Sequence, residues 1–286
     1  MTGLAAAVAA AAGSQVAATA PVGGGDVSRA LRVRLADGRD LFVKHRAGAP
    51  AGMYGAEAEG LAWLAGAGAL RTPRVVAAVD EGPVPFIAME WIERGAPAPD
   101  HDERLGRGLA ALHLAGAPRF GLDRDNLIAV LPQPNGPAAD WPEFYARRRL
   151  RPLARRAVDD GTLPASVLSD LEALEARLPD LCGPPEPPSR LHGDLWSGNA
   201  IVDAAGLPVL IDPAVYGGHR EVDLAMMRLF GGFSARVFAA YDEAHPPAPG
   251  HRDRVDLYQL YPLLVHVALF GGGYVGRFRA ALARYL

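Results

Sequence analysis

Residues 191–199 read LHGDLWSGN and place a carboxylate and a carboxamide five positions apart. Asp194 could accept the hydrogen bond of an attacking hydroxyl group, and Asn199 offers a neutral oxygen to a metal ion. Asp212 follows thirteen positions later, between the apolar run VLI and a proline. An isolated His-Gly-Asp stretch is also common as an ordinary polar turn. The interpretation therefore depends on what the rest of the chain supplies.

The spacing Asp-x4-Asn equals that of the catalytic loop of ATP-dependent kinases, with His-Gly-Asp in place of His-Arg-Asp. Phosphoryl transfer from ATP requires positioning and charge neutralisation more than covalent chemistry. A hard oxygen ligand at the end of a rigid strand suits Mg²⁺, which tolerates little distortion. The pattern predicts Asp194 as the catalytic base and Asn199 with Asp212 as metal ligands.

Upstream residues could bind the nucleotide. Lys44 ends the apolar run LFV, where its charge could reach the phosphates, and it needs a carboxylate to fix its direction. Glu57, one turn into the next predicted helix, is the expected partner, because Glu59 would face the opposite side. A lysine at a strand end is usually a solvated surface charge. The prediction therefore depends on the set of residues taken together.

Two backbone segments complete the predicted nucleotide site. The turn at Gly23, Gly24 and Gly25 would let backbone N–H groups approach phosphate closely, although such a turn alone is usually only a hairpin turn. The segment AMEWIE supplies a strand edge whose backbone at Glu90 and Ile92 could hydrogen-bond adenine.

The elements that must position these residues divide the chain in two. Alternating apolar residues and turn signals predict strands up to about residue 92, with one helix over residues 54–65. A proline- and glycine-rich linker follows, and the remainder reads as helices with two short strands after the HGD motif. We expect an α+β fold with two lobes, a β-rich lobe at 1–92 and a mainly helical lobe at 93–286. This is the plan of the protein-kinase-like phosphotransferases.

Composition narrows the class of protein. The chain has 286 residues, half of them hydrophobic, and a net charge of −3, which indicates a globular protein and gives no reason to expect a nucleic acid or membrane partner. The single cysteine, Cys182, excludes an internal disulfide and fits a reducing cytoplasm. Residues 4–20 are apolar like a signal peptide, but no Lys or Arg precedes them. We expect an alanine-rich helix broken near Gly13.

Longer stretches resemble one family. HGDLWSGN followed by IDPAVYGGHREVDLAMMRLFGGF resembles the fructosamine-3-kinase (ketosamine kinase) family, whose relatives include the aminoglycoside and choline kinases. Further similar stretches are GGGDVSRALRV, LFVK, MYGAEAEGL, NLIAVLPQPNGPAADWPEFYARRRLRP and LYQLYPLLVHVALFGGGY. The resemblance covers nearly the whole chain, and Trp196 with LFGGF separates this family from its relatives.

The resemblance implies an activity and roles for residues. It implies ATP- and Mg²⁺-dependent phosphorylation of the 3-hydroxyl of ketoamines, which are sugars rearranged onto lysine or small amines, followed by release of the amine. It implies that Asp194 is the base, that Asn199 and Asp212 bind metal, and that Lys44 with Glu57 binds phosphate. Some relatives carry a redox-sensitive cysteine in the glycine-rich loop. Asp26 follows the glycines here, so no such switch is expected.

Two parts of the chain are expected to lie near the acceptor. Trp196 beside the base should line the acceptor site as an apolar wall. The segment from Asn126 to Asn135 could form one side of that cleft, or could equally be a structural loop. Glu221 and Asp223 are expected to anchor the catalytic loop.

Other polar clusters have simpler explanations. The arginine-rich stretch 147–156 has acidic neighbours and is expected to be a solvated helix. His113 and His266 lie in apolar helices and should be satisfied core histidines. His192 should hold the catalytic loop.

Two other functions remain open from the sequence. One is another small-molecule kinase of the same fold, acting on an aminoglycoside, choline or a homoserine-like alcohol. The other is an inactive ATP-binding scaffold, which the presence of all three residues Asp194, Asn199 and Asp212 disfavours. We expect a cytoplasmic monomer or homodimer.

Overall fold

The computed structural model describes residues 2–23 and 27–286, and the first part of this chain forms an antiparallel sheet with two helices. Its elements are α1 (Thr2–Ala12), β1 (Val16–Val22), β2 (Arg29–Leu35), β3 (Asp40–His45), α2 (Met53–Ala65), β4 (Val75–Val79) and β5 (Phe86–Glu90). The order of the strands in the sheet is β1-β2-β3-β5-β4. The predicted lobe boundary at residue 92 falls just after β5.

Alternation along the strands gives the sheet two apolar faces. Leu41 and Val43 of β3 pack with Leu4 and Val8 of α1, so the alanine-rich helix covers one face. On the other face, Tyr54 and Leu61 of α2 pack with Ile87 and Met89 of β5. Side chains alternate across a strand, so Lys44 points to the α2 face.

The predicted helix at the N-terminus is confirmed. It ends at Ala12, and Gly13 has a φ of 66°, which glycine adopts without strain. The apolar stretch continues into β1, which pairs with β2 along the edge of the sheet.

The remainder of the chain is mainly helical. Its helices are α3 (His101–Leu114), α4 (Trp141–Phe144), α5 (Arg151–Asp159), α6 (Ser166–Leu181), α7 (Glu221–Phe230), α8 (Ala235–Ala244), α9 (Val255–Phe270) and α10 (Gly273–Leu282), with a π-helix at Tyr145–Leu150 between α4 and α5. Short antiparallel pairs lie among them: β6 (Asn126–Ile128) with β7 (Leu131–Gln133), β8 (Ser189–Leu191) with β11 (Tyr216–Gly218), and β9 (Ala200–Val202) with β10 (Pro208–Leu210).

The sequence predicted β9 and β10 and the division into helices, but not β6, β7, β8 or β11. These strands have three residues each, too short for an alternation pattern. They form because distant segments meet, as in the pairing of Tyr216 with Leu191.

The arginine-rich stretch is only partly a solvated helix. Arg147, Arg151 and Arg156 pair with nearby carboxylates, as expected. Arg149 instead points inward from the π-helix and is fully buried. Its guanidinium lies over the rings of Tyr216 and Phe144, with its carbon 3.7 and 4.6 Å from the ring centroids. These cation–π contacts, with hydrogen bonds to the carbonyl oxygens of Pro134 and Arg148 and to the side chain of Asn135, take the place of a carboxylate partner.

Two further features bear on function. Cys182 is buried at the end of α6, and burial raises the pKa of its thiol to about 12. In the part of the chain that the structure describes, no helix combines the length and the apolar character needed to cross a bilayer.

Candidate active site

The predicted catalytic loop, residues 191–199, is fixed by Asp223 at the start of α7. The carboxylate of Asp223 accepts the backbone N–H groups of His192 and Gly193 at 2.8 and 2.9 Å. It also accepts a hydrogen bond from His113 at 3.2 Å. Burial opposes its ionisation, but the hydrogen bond and charge of His113 prevail, and the pKa of Asp223 lies below its usual range. This carboxylate therefore fixes the backbone on which Asp194 is mounted.

These contacts show which of the two acidic residues, Glu221 and Asp223, anchors the loop. Asp223 contacts the loop directly, whereas Glu221 pairs with Arg254 at 2.6 Å and does not. His192 is fully buried, and its Nε2 lies 3.0 Å from the carbonyl oxygen of Ile211, the residue before Asp212. His113 is a satisfied core histidine, because its second nitrogen lies 2.7 Å from the Tyr241 hydroxyl.

The structure brings the three predicted oxygen-bearing residues together. Asn199 Nδ2 donates to the backbone oxygen of Asp194 at 2.9 Å and lies 3.2 Å from its carboxylate. The same nitrogen lies 3.4 Å from the backbone oxygen of Asp212. Burial and the nearby charge of Asp212 raise the pKa of Asp194 to about 7. A carboxyl group with this pKa can take up and lose a proton near neutrality.

Lys44 joins the sheet to this group. Its Nζ donates to both oxygens of Glu57, at 2.9 and 2.8 Å, and to Asp212 at 2.9 Å. Burial would favour the neutral amine, but the two carboxylates prevail, and the pKa of Lys44 is raised. Burial, with the charge of Asp212 adding to it, raises the pKa of Glu57 to about 7. Two carboxylates share one ammonium here.

Helix α2 presents Glu57 because its start and its middle are both fixed. The carboxylate of Asp80, in the β4–β5 turn, accepts the backbone N–H groups of Tyr54 and Gly55 at 2.8 and 2.9 Å. It thereby satisfies two of the N–H groups that a helix start leaves free. At Gly60 the helix touches the segment after Asp212, because a Cβ there would lie 3.0 Å from Pro213 Cγ.

Glu59 has a different partner, as the helix geometry predicted. Its side chain is half exposed and forms an ion pair with Arg124. Glu57 and Glu59 lie on different faces of α2, so only Glu57 meets Lys44.

The segment predicted to meet adenine lies at the end of β5. The N–H of Glu90 donates to the carbonyl of Arg74 at 2.9 Å, so only its carbonyl oxygen remains for a ligand. The side chain of Ile92 packs with Ile201 and Val209. These three side chains form an apolar surface beneath the segment predicted to meet adenine. Within the described ranges, no protein group bonds to the N–H or the carbonyl of Ile92.

The predicted phosphate loop is only partly described. Gly23 is exposed directly after β1. The predictions at Gly24 and Gly25, and the remark on Asp26, fall outside the described residues.

Trp196 lies in the predicted catalytic loop, and 41% of its surface is exposed. Its indole packs on Gly198, where an added Cβ would lie 2.2 Å from the ring. A side chain at position 198 would displace the indole from this position, which gives the spacing Trp-Ser-Gly a steric consequence.

The structure does not bring Asn135 to an open cleft. Its side chain is buried and donates to the Asn126 side chain at 2.7 Å, while its oxygen accepts from Arg149 at 2.8 Å. Asn126 in turn donates to the carbonyl of Val215 at 2.9 Å. This placement favours a positioning role for both side chains over the predicted contact with substrate.

Sequence reasoning missed Asp80 and Arg149 as supports of the site. Asp80 lies in the sequence DEG, which predicts a turn. Nothing in that sequence indicates that Asp80 caps a helix that begins 27 positions earlier. Arg149 stands among other arginines, and only the π-helix turns it inward.

The fold and this constellation define an ATP-dependent phosphotransferase of the protein-kinase-like class. An aminoglycoside phosphotransferase solved with ADP and hygromycin B has the same fold, with a TM-score of 0.64 over 98% of both chains at 19% identity. This likeness concerns the fold alone.

The chain belongs to the fructosamine kinase family, whose model matches residues 2–286. It is 41% identical over 246 residues to a probable ketoamine kinase from Synechocystis, covering 84% of this chain and 81% of the relative. It is 34% identical to mouse ketosamine-3-kinase, covering 92% and 93% of the two chains. A solved structure from Thermobifida fusca, named provisionally as a fructosamine-3-kinase, has a TM-score of 0.88 at 46% identity over 99% of both chains.

Proposed function

We propose that this protein transfers the γ-phosphoryl group of ATP to the 3-hydroxyl of ketoamine sugars, the ribulosamine and fructosamine adducts of lysine or small amines. The 3-phosphate destabilises the adduct, so the amine is released and the carrier is deglycated. The observation that carries this proposal is the arrangement of Lys44, Glu57, Asp194, Asn199 and Asp212 in a chain of this family.

Asp194 acts as the general base. Its carboxylate accepts the proton of the sugar hydroxyl while the hydroxyl oxygen forms a bond to the γ-phosphorus. The bond from that phosphorus to the bridging oxygen of ADP breaks in the same displacement. The pKa of about 7 lets Asp194 hold this proton and return it to water at neutral pH.

Lys44 neutralises phosphate charge, and Glu57 fixes its direction. The ammonium lies between two carboxylates, so one of its contacts can pass from Asp212 to a phosphate oxygen while the Glu57 contacts persist. The Gly23–Gly25 turn and the backbone at Glu90 and Ile92 would hold the phosphates and the adenine.

The residues present fit Mg²⁺ with Asn199 and Asp212 as ligands. Asn199 uses its amide nitrogen for every hydrogen bond given above, so its oxygen remains for a cation. Asp212 is 39% exposed and has a second carboxylate oxygen. No group of three or more His, Cys, Asp and Glu side chains in residues 2–23 and 27–286 forms a metal cage. Two protein oxygens would suffice to hold Mg²⁺, which commonly keeps several waters, and the ion would supply positive charge for the phosphates.

The test is ATP turnover with ribulosyl-lysine, fructosyl-lysine, kanamycin and choline as acceptors, with Asp194→Asn as the inactive control. We expect phosphate on the sugar 3-oxygen of a ketoamine, detected by phosphorus–proton NMR coupling. Transfer to kanamycin or choline, but to neither ketoamine, would refute the proposed substrate. ATP binding without turnover on any alcohol would indicate a scaffold.

A further inference from the structure

Aromatic side chains from three helices gather beside the catalytic loop. His266 of α9 is at their centre, with ring centroids 4.8 Å from Phe230 of α7 and 4.8 Å from Tyr274 of α10. Phe270 lies one turn further along α9, 5.7 Å from His266 and 6.2 Å from Tyr274. We call these four side chains the ring cluster.

The ring cluster borders the proposed base. His266 and Asp194 line the same small cavity, of about 10 Å³, with Tyr261 and Met226. After Phe230 the chain turns at two glycines and touches the catalytic loop, where a Cβ at Gly232 would lie 2.4 Å from Ser197 Oγ. The cluster therefore lies next to the position of an acceptor hydroxyl.

The polar edge of His266 is available to a ligand. Its Nδ1 lies 2.7 Å from the carbonyl oxygen of Pro262, so this nitrogen carries the hydrogen. Nε2 has no hydrogen-bond partner among the residues that the structure describes, so the prediction of a satisfied core histidine is wrong for His266. Burial, with the charge of Arg277 adding to it, holds the pKa of His266 below its usual value. The imidazole is therefore neutral at pH 7, and its Nε2 is an acceptor.

The cluster is also open to solvent. Phe270 is 53% exposed, and with Trp196 it belongs to the few large apolar side chains exposed in the described part of the chain. Arg277 is the cationic neighbour; it is exposed and donates to the carbonyl of Leu229 at 3.3 Å. Solvent and salt screen a charge at such a position.

We propose that the ring cluster is the carrier subsite of the acceptor site, and that it binds the protonated secondary amine of a ketoamine and its alkyl stem. This inference rests on the proposed function. His266 Nε2 accepts an N–H of the secondary ammonium, and the aromatic faces of Phe270 and Tyr274 pack the methylene stem. Aromatic faces also attract a cation.

The first test separates the amine from the rest of the substrate. Two acceptors differ only at one atom: N-hexyl fructosamine, which carries an ammonium, and 1-O-hexyl fructose, an uncharged ether. His266→Phe keeps a ring in the cluster but removes the acceptor nitrogen. We expect it to lower kcat/KM for the amine about 10- to 100-fold, the usual value of a hydrogen bond to a charged group. For the ether, kcat/KM should stay within about threefold of the wild-type value, and so should KM for ATP.

The second test concerns the stem, and Phe270→Ala is suited to it because the exposed ring contributes little to folding. We expect this variant to lower kcat/KM for N-hexyl fructosamine about tenfold, as for an apolar contact of this size, and to leave N-methyl fructosamine nearly unchanged. Leu114→Ala, an exposed apolar residue at the end of α3, is the control and should affect neither acceptor.

Equal losses for amine and ether in His266→Phe would indicate a structural role and overturn the inference. In Phe270→Ala, equal losses of kcat/KM for N-hexyl and N-methyl fructosamine would overturn it as well. In both cases the enzyme would still phosphorylate ketoamines, and the proposed function would stand. Absence of any ketoamine turnover in the wild-type enzyme would remove both.

Discussion

Asp194 combines a functional requirement with a cost in stability. Its pKa is about 7 in the folded protein and near 3.8 in an unfolded chain, so between these values the folded state holds a proton that the unfolded state has lost. The contribution of Asp194 to the stability of the folded protein therefore becomes less favourable as pH rises from about 4 to 7. Burial favours the neutral carboxyl group, whereas the proposed mechanism requires the charged form as the base.

Asp194→Asn should separate these two properties. We expect kcat to fall about 10²- to 10⁴-fold, the contribution of a general base. Above pH 7 the ligand-free variant should be more stable than the wild type by ~2 to 4 kcal/mol, and the difference should vanish near pH 4. Urea unfolding at pH 4.5, 6 and 8 measures this difference. A gain that does not depend on pH would contradict the assignment.

Lys44→Met tests the buried ion pair. Without the ammonium, Glu57 must be buried alone, and its pKa, already about 7, rises further. At pH 5.5 the carboxyl group is protonated and the loss of stability should be small. At pH 8.5 the loss should be about 3 kcal/mol larger, because an unpaired buried charge is costly. Chemical denaturation at both pH values measures the two losses.

The double variant Lys44→Met/Glu57→Gln is the matched control, because it has no carboxyl group to titrate at position 57. Its loss of stability should be nearly the same at pH 5.5 and pH 8.5. A strong pH dependence in the double variant would point to another group, such as Asp212.

The sequence predicted which residues meet at the site, because their types and spacings are local signals. Lys44, Glu57, Asp194, Asn199 and Asp212 all lie where the motif spacing and the helix period placed them. Asn135 differs, because its burial depends on Arg149, and Arg149 turns inward only where a π-helix alters the periodicity of the helix. A pattern along the chain does not contain that information.

At the scale of elements, α2 is the part that makes the ion pair. It lacks a side-chain cap of its own, and Asp80 supplies that cap from the turn between β4 and β5. Gly55 leaves room for it, since a Cβ there would lie 2.7 Å from the Asp80 carboxylate. The sequence predicted the helix from its apolar spacing, but this long-range cap follows only from the sheet topology.

Asp80→Ala should loosen the start of α2. We expect a loss of stability of about 1 to 2 kcal/mol, as for other helix caps. We also expect kcat to fall about 10-fold or more, because Glu57 directs Lys44 from the second turn of the same helix. Thermal unfolding and steady-state kinetics measure the two effects. Glu81→Ala, at the exposed next residue, should change neither, and an equal effect there would count against the cap.

At the scale of the whole molecule, α2 is a helix of the first lobe that also contacts the second. Arg190 of β8 donates to the carbonyl of Trp63 at 2.7 Å, and its guanidinium lies 4.6 Å from the centroid of the Trp63 ring. Lys44 reaches Asp212 from the other end, and Gly60 touches Pro213 between them. The helix is therefore fixed against the catalytic lobe with its glutamate already paired.

Arg190→Ala should weaken this joint. We expect a loss of about 1 to 2 kcal/mol from the hydrogen bond and the cation–π contact, which corresponds to a decrease in Tm of roughly 2 to 6 °C. KM for ATP should rise as α2 loses its support. Arg104→Ala, which removes a surface pair with Asp100, is the control and should lower Tm by less than about 1 °C. Equal decreases in Tm for Arg190→Ala and Arg104→Ala, measured by calorimetry, would show that Arg190 contributes no more than a surface residue.

The two-lobe architecture was predictable because the composition changes along the chain, from alternating strands to helical spacing. The contacts between the lobes were not, because each joins residues far apart in sequence, such as Arg190 with Trp63.

The buried thiol of Cys182 makes the chain convenient for labelling. Thiol-reactive dyes attack the thiolate, and a pKa of about 12 in a buried position leaves almost none of it. Two cysteines introduced at exposed positions, one in each lobe, would then be the only thiols that react with the dyes. The rest of the sequence would remain native. Energy transfer between the two dyes could follow the distance between the lobes through each step of turnover.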